Sequence, residues 1–361
     1  MAKLVQAGAG LGLACAAPAA ADPGVEGRIL PVRPIVERTA SGPSLGFDVV
    51  LSNRGETAVE LEELEVTFYD ASGEPILTRR VDGNGGVPSI ATLGDRKIAP
   101  KAERLFFNPF HTLPIDLDPR RISVRATFGT EGEGKAPPPA EMSAVLNESS
   151  STLRLLLPVK GKVLVWDGHD ALSHHRRWDY SHPYLRSLGF ASNAMRYSYD
   201  LVPVDEAGRM FAGDESRNES YFGFGMPVRA PRGGIIVALV GDRPDDHSFD
   251  PEESKTSPNA LLGNYLVIDH RDGTFSQLGH LKQHSLKVRK GDRVSAGQDV
   301  AAIGASGSSL FPHLHYQLVD GPTMAGEGLP SYFRGLKRLR GKRSASVPFG
   351  QIDSGDTVLS R

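Results

Sequence analysis

Three features of the 361-residue sequence predict an all-β chain in two units. Gly 40 and Pro 26, against 7% aromatic residues, favour many short strands and turns over long packed helices. Apolar residues recur at every second position in several runs, while helical periodicity is weak throughout. Ten of the eleven histidines fall after residue 153, so polar chemistry is concentrated in the second unit. Composition also excludes classes. Hydrophobic residues make up 39%, enough to fill packed cores, which excludes intrinsic disorder. Formal net charge is −2, from 41 Lys+Arg and 43 Asp+Glu, without the basic excess of a dedicated nucleic-acid binder.

Residues 1–21, MAKLVQAGAGLGLACAAPAAA, have the layout of a secretory signal peptide. Lys3 is the positive start, a small and apolar stretch follows, and Ala19-Ala20-Ala21 is a small-residue cleavage site. Export to the periplasm, cell envelope or extracellular space is expected. Cleavage there removes Cys15, the single cysteine, and with it thiolate metal sites and cysteine catalysis. Lipid anchoring at Cys15 is the weaker alternative, because Gly12 stands where a lipobox prefers Leu. No later apolar run approaches the about 20 residues of a transmembrane helix.

Residues 25–150 read as period-2 strands broken by turns. Phe47–Asn53 is one run. Leu61–Asp70 is another, with Leu64, Val66 and Phe68 on one face before the Ala71-Ser72-Gly73 turn. Ile122, Val124, Ala126 and Phe128 alternate again. Short strands of this kind predict an immunoglobulin-like β-sandwich. Its single histidine, His111, offers no site chemistry, and Gly132–Pro139 (GEGKAPPP) reads as a stiff loop.

The second unit is expected over 153–340, followed by a tail at 341–361. Strands are legible at Gly234–Val240, Asn264–Asp269, Thr274–His280 and Asp299–Ile303, with turns at Arg271-Asp272-Gly273 and Lys290-Gly291-Asp292. Residues from Pro322 onward read as loop-like, with a basic cluster at Arg334–Arg343. His247, His270 and His284 read as surface residues.

The chemistry converges on Pro312-His313-Leu314-His315-Tyr316-Gln317-Leu318. In a strand, residues i and i+2 share a face, so both imidazoles can reach one site. His280 ends an upstream strand, and Asp200 closes Asn193–Tyr199. Histidine with carboxylate and no thiolate is the donor set of a water-activating zinc site.

GNYLVIDHRDGTFSQLGHL, KVRKGDRVSAGQDVAAIGASGSS and PHLHYQL together resemble the catalytic core of the lysostaphin-type (LytM-domain) zinc metalloendopeptidases, which are peptidoglycan hydrolases. The likeness runs from about Leu156 to Val319. It implies an antiparallel β-sheet peptidase domain with the site in a groove, Zn2+ as cofactor, and peptidoglycan peptides as partners. His315 and Asp200 would be metal ligands, and His280 and His313 an unliganded catalytic pair. One position departs from the family pattern: Arg196 stands where a ligand histidine is usual, and a guanidinium cannot ligate zinc. Arg196-Tyr197-Ser198-Tyr199-Asp200 resembles a variant whose third ligand comes from upstream. The candidates lie in SHHRRWDYSHP: His175 first, then His174 and His182. Adjacent histidines in an extended chain point opposite ways, so only one of His174 and His175 is expected to bind.

Metal-assisted amide hydrolysis is therefore the expected activity. Thermolysin-type chemistry is unsupported, since Leu281 stands where the His280/His284 spacing would need its Glu. The alternative is a non-catalytic wall-binding or regulatory protein on a degenerate domain, for which Arg196 is the main support. Val288–Ala302 also resembles a lipoyl or biotinyl carrier hairpin, but no attachment lysine turn is present. Between Asp200 and His280 the chain is longer than the core family needs. Asp205–Phe224 and Asp242–Leu262 read as insertions, with Pro244–His247 as a groove wall. Gly161–Asp170, which includes Asp167 and His169, is close in sequence to the candidate ligand, and an outer partner of a ligating imidazole is expected there.

Overall fold

A computed structural model describes residues 24–130, 135–148, 155–347 and 350–361. The expected signal peptide and Cys15 lie outside the described residues, as does part of the Gly132–Pro139 loop. Strand makes up 42% of the described chain against 7% helix, as the turn-rich composition predicts.

The N-terminal unit holds two sheets over one core. One orders Glu103–Phe107, Gly42–Asn53, Val25–Thr39 and Asn147–Glu148. The other orders Pro75–Asp82, Val59–Tyr69, Arg121–Thr130 and Ala140–Val145, with Lys97–Ile98 beside Val59–Tyr69. The period-2 alternation explains the packing. Leu64, Val66 and Phe68 point inward with Ile122, Val124 and Ala126 from the paired strand, all at most 1% exposed. Leu45, Phe47, Val49 and Leu51 fill the same core from the first sheet.

The C-terminal unit is built on one large sheet. Its central strands run Tyr265–Asp269, Phe275–Gly279, Leu314–Val319, Tyr199–Pro203, Gly161–Asp167 and Thr357–Ser360. Register places Asp167 opposite Asp200, Asp200 opposite His315, and His315 opposite Gly279. Directly paired residues share a face about 4.5–5.5 Å apart, so three neighbouring strands carry Asp167, Asp200 and His315 in one row across the sheet, and Gly279 on the fourth leads into His280.

The loop-like reading of residues after Pro322 is corrected. Lys337–Arg340, Arg343–Ser346 and Thr357–Ser360 join the large sheet, and Gly328–Leu329 pairs with Leu314–Val319. Residues 341–361 are thus no separate tail: Gly341 sits in a hairpin turn, and Thr357–Ser360 pairs with Gly161–Asp167. These strands are two to four residues long and rich in Arg and Ser, so no apolar alternation announces them.

The two units pack against each other. Val50 and Leu105 of the N-terminal unit join Tyr180, Phe190, Val267 and Val319 in one buried cluster. Among the described residues no helix is long and apolar enough to cross a membrane.

Candidate metal centre

His315 lies on the central strand Leu314–Val319 and is 2% exposed. Its Nδ1 is 3.1 Å from Asp200 Oδ1, and its Nε2 is 2.8 Å from Gln317 Oε1. Gln317 Nε2 donates to Gln277 Oε1 at 2.9 Å, so a chain of buried amides fixes the ring. Gln317 is two residues from His315 and shares its face, a signal that strand periodicity carries and the sequence reading passed over.

His175 approaches from the opposite side. Its Nε2 is 3.8 Å from Asp200 Oδ1, and its Nδ1 is 2.6 Å from Asp167 Oδ2. Asp167 also accepts the backbone N–H groups of His174 and His175 and the Ser173 hydroxyl. Such a carboxylate behind a ligating imidazole fixes its orientation and raises its basicity. His175, Asp200 and His315 each offer a ligand atom, all within 4.8 Å of one another. Tetrahedral zinc with ligands at about 2.0–2.1 Å separates them by about 3.3 Å, between the 3.1 and 3.8 Å seen around Asp200 Oδ1. Two imidazoles and a carboxylate, without sulfur and with room for water, suit a catalytic zinc ion.

Two further histidines face the same place. His313 Nδ1–H donates to Phe311 O at 2.7 Å, which leaves Nε2, 3.3 Å from Asp200 Oδ1. His280 Nδ1–H donates to Ser306 O at 2.8 Å. His280 has φ of 57°, a left-handed conformation rare for a non-glycine residue. It turns the chain out of the strand, with the His280 and His313 ring centres 4.8 Å apart. The carbonyl that holds His280 depends on a close approach of two loops. A Cβ on Gly263 would lie 2.3 Å from Gly307 N and 2.5 Å from Ser306 C. Only glycine lets the two backbones meet there.

Electrostatics separate these groups. Burial pushes the Asp200 carboxyl up, but the facing His175 and His313 outweigh it and hold the group well below its usual range. Burial, with His313 and His315 alongside, pulls His280 well below the ordinary imidazole value. Burial also opposes charge on His313, but Asp200 outweighs it and raises that imidazole.

The remaining candidates resolve as follows. His174 and His175 do not point apart, because residues 171–177 form turns and the extended-chain premise fails. Their rings lie 4.0 Å apart, with the His174 side chain 64% exposed and that of His175 9%. His174 Nε2 is 3.9 Å from Asp200 Oδ2, so it borders the site. His182 is not brought there: it caps the short helix Pro183–Ser187, with Nδ1 accepting from Tyr184 N–H. His270 is no surface residue. It is 6% exposed, bonded to Gly233 O and Ser276 Oγ.

Arg196, the departure from the family pattern, is 1% exposed. Its Nη1 is 2.6 Å from Asp48 Oδ2 and its Nε 2.5 Å from Glu327 Oε1. It is an ion-pairing side chain between the two units.

The site opens into a cavity of about 350 Å³. Trp166, Trp178, Phe249, Leu261, Leu310 and Phe311 wall it beside the histidines. The Asp242–Leu262 insertion thus contributes Phe249, Leu261 and Leu262, and not the expected Pro244–His247. Asp245 instead accepts from Ala305 N–H and Gln283 N–H. From the Trp166–Phe311 edge contact, aromatic rings continue outward through Tyr221 to Phe211. A larger cavity of about 590 Å³ lies between the two units and contains none of the histidines of the metal centre.

Residues 222–325 match the family model described as Peptidase family M23. The chain is 37% identical over 95 residues to peptidoglycan DD-endopeptidase ShyC of Vibrio cholerae, covering 26% of this chain and 21% of that protein. It is 29% identical over 129 residues to ShyB of the same organism, covering 36% and 29%. The solved catalytic domain of lysostaphin from Staphylococcus simulans aligns with 34% of this chain and 86% of its own, at 21% identity and TM-score 0.23. The chain spans less than a third of the two curated relatives. The family match and the curated relatives show the resemblance of the second unit to the lysostaphin-type peptidases. His280, His313 and His315 fall inside the family match, whereas His175 and Asp200 precede it.

Proposed function

We propose, taking the peptidase family M23 match over residues 222–325 as premise, that this chain is an exported zinc endopeptidase that hydrolyses peptide bonds of peptidoglycan. The convergence of His175, Asp200, His315, His280 and His313 on one open cavity carries the reading. His175, Asp200 and His315 would hold the ion. A zinc ion so held lowers the pKa of a water and polarises a carbonyl.

The chain's own groups do the rest. Asp167 and Gln317 keep the two ligating rings oriented. With their Nδ1 protons committed to backbone carbonyls, His280 and His313 keep Nε2 for the substrate. One, neutral, takes a proton at Nε2 from the attacking water and returns it to the leaving amine; the other, doubly protonated, donates its Nε2–H to the developing oxyanion. Trp166, Leu310, Phe311 and Phe249 exclude water along the groove.

The non-catalytic alternative loses its main support, because Arg196 has a structural occupation. The export reading follows from residues 1–21 and from peptidoglycan lying outside the cytoplasm. The N-terminal unit, residues 25–150, is read as an immunoglobulin-like sandwich on the strength of its two sheets over one core.

Digestion of purified peptidoglycan, followed by mass spectrometry of the released peptides, tests the function. Zinc-loaded protein is expected to release peptides with new termini at one bond type, and His315→Ala or Asp200→Ala to release none. Release of nothing by zinc-loaded wild type would favour the wall-binding alternative.

A further inference from the structure

We infer that the N-terminal unit completes the metal centre: its buried carboxylates Glu37 and Asp48 are positioning residues for the ligands His175 and Asp200. The inference rests on the metal-centre reading above.

The part of the chain that needs holding is clear. Between Asp167 and Tyr199 the only regular element is the five-residue helix Pro183–Ser187. That stretch delivers His175 and leads directly into Asp200. No ladder of strand hydrogen bonds fixes it, so its conformation must come from side chains and packing.

Glu37 supplies one anchor. It is fully buried, and Oε2 lies 2.6 Å from His169 Nε2. Tyr332 and Gln351 also donate to Oε2, each at 2.9 Å. From His169 two connections reach the ligands. Its Nδ1 is 2.7 Å from the hydroxyl of Tyr199, the residue before Asp200. Its carbonyl accepts from Nη1 of Arg176, the residue after His175, at 3.2 Å. His169 itself follows Asp167, which faces His175, by two residues.

Asp48 supplies the other anchor. Its Oδ2 accepts from Arg196 Nη1 at 2.6 Å and from the Tyr180 hydroxyl at 3.0 Å. Arg196 lies four residues before Asp200, and Tyr180 five after His175. Asn193 Nδ2 donates to the carbonyls of His175 and Arg176, tying the two segments to each other. Gly46 makes the fit possible: a Cβ there would lie 2.5 Å from Arg176 Nη2 and 2.6 Å from Tyr197 Oη.

Buried charges are costly and persist where partners compensate them and geometry must be specified. Here Glu37–His169, Asp48–Arg196 and Asp48–Tyr180 cross from the N-terminal unit to the ligand-bearing stretch, while Tyr332 and Gln351 hold Glu37 from elsewhere in the C-terminal unit. Among the described residues, none of the N-terminal unit lines the groove, so the unit grips the site from behind without covering it. The arginine at position 196 fits this arrangement. With the third ligand supplied by His175, position 196 serves to lock the approach to Asp200 onto Asp48.

The test uses the full chain with Glu37→Gln and Asp48→Asn, each near-isosteric. Cobalt(II) replaces zinc, and the visible spectrum reports ligand geometry. Zinc affinity is measured by chelator competition, with near-UV circular dichroism recorded on the same samples. Both variants are expected to keep the wild-type dichroism, to shift or weaken the cobalt bands, and to bind zinc about 10–100-fold more weakly, the range for groups that orient metal ligands. If Glu37→Gln fails to fold, Tyr332→Phe, which removes one hydrogen bond from Glu37, is expected to move the spectrum in the same direction by less; if Asp48→Asn fails, Tyr180→Phe, which removes one from Asp48, is expected to do the same. Folded variants with wild-type spectra and wild-type zinc affinity would overturn the inference. A wild type that binds neither metal would instead refute the metal-centre reading itself.

Discussion

The two halves of the proposed metal centre are built by different physics. One half, His280, His313 and His315, hangs on or beside regular strands inside the family-matched segment. Backbone ladders set most of its geometry: His313 and His315 are locked by partners two residues away, and His280 by the carbonyl of Ser306 in a neighbouring loop. The other half, His175 with Asp167 behind it, depends on a turn-rich stretch held by contacts from a separate unit. Asp200 sits at the join: it is on a strand, but the strand's approach is fixed by Arg196 and Asp48. A strand-borne site tolerates change elsewhere in the molecule. A loop-borne one inherits the stability of whatever holds the loop.

The two halves differ most in the adjacent histidines His174 and His175. His175→Ala removes a buried donor with a carboxylate behind it. Peptidase activity and zinc affinity should each fall by more than about 100-fold, the upper end for loss of an outer partner alone. His174→Ala, whose side chain is 64% exposed, should stay within a few-fold of wild type. Steady-state kinetics with zinc titration of both variants decides the matter. Equal losses would mean that the loop presents both rings to the ion, and the reverse order would reassign the ligand.

What the sequence made legible follows the same division. Leu64, Val66 and Phe68 were readable because period-2 alternation repeats in the residue order, and Leu314–Val319, buried on both faces, because side chains two apart in a strand share a face. His313 and His315 were readable as a pair for the same reason. His174 and His175 were readable only as candidates, because a turn, not a strand, decides which ring faces inward. The packing of His270 and the ion pairs of Arg196 were illegible, since each depends on partners far away in sequence: Gly233 for one, Asp48 and Glu327 for the other. The strands after residue 336 were missed because they are short and polar, and their hydrogen bonds come from pairing and not from an apolar face.

The interface itself can be stressed next. Arg196→Ala leaves Asp48 buried without its guanidinium and opens space beside Tyr180. Breaking one side of a buried pair costs about 3–5 kcal/mol. Denaturant unfolding should register a loss of that order, and activity should fall in parallel because the approach to Asp200 loosens. A loss below about 1 kcal/mol with full activity would mean that apolar packing around Val50 and Leu105 suffices to seat the ligands, and the two halves would then differ less than their contacts imply.

The smallest expected effect is also the most specific to the buried carboxylate. Burial pushes the Glu37 carboxyl up, but His169 and, secondarily, Arg176 and the Tyr332 hydroxyl outweigh it, so the group sits below its ordinary 4.5 in the folded state. A depressed carboxyl stabilises the fold fully above its unfolded value, and that contribution is lost as pH falls through the folded value. Wild type should therefore exceed Glu37→Gln in unfolding free energy by about 1.5–3 kcal/mol near pH 5.5, the range for hydrogen bonds to a charged group. The gap should close progressively below pH 4.5, where wild type protonates and the variant has nothing to lose. Urea titrations of both proteins at steps between pH 5.5 and 3 measure it. A gap that stays constant or widens in acid would reverse the sign and remove Glu37 as the anion on which the loop-borne half of the site is hung.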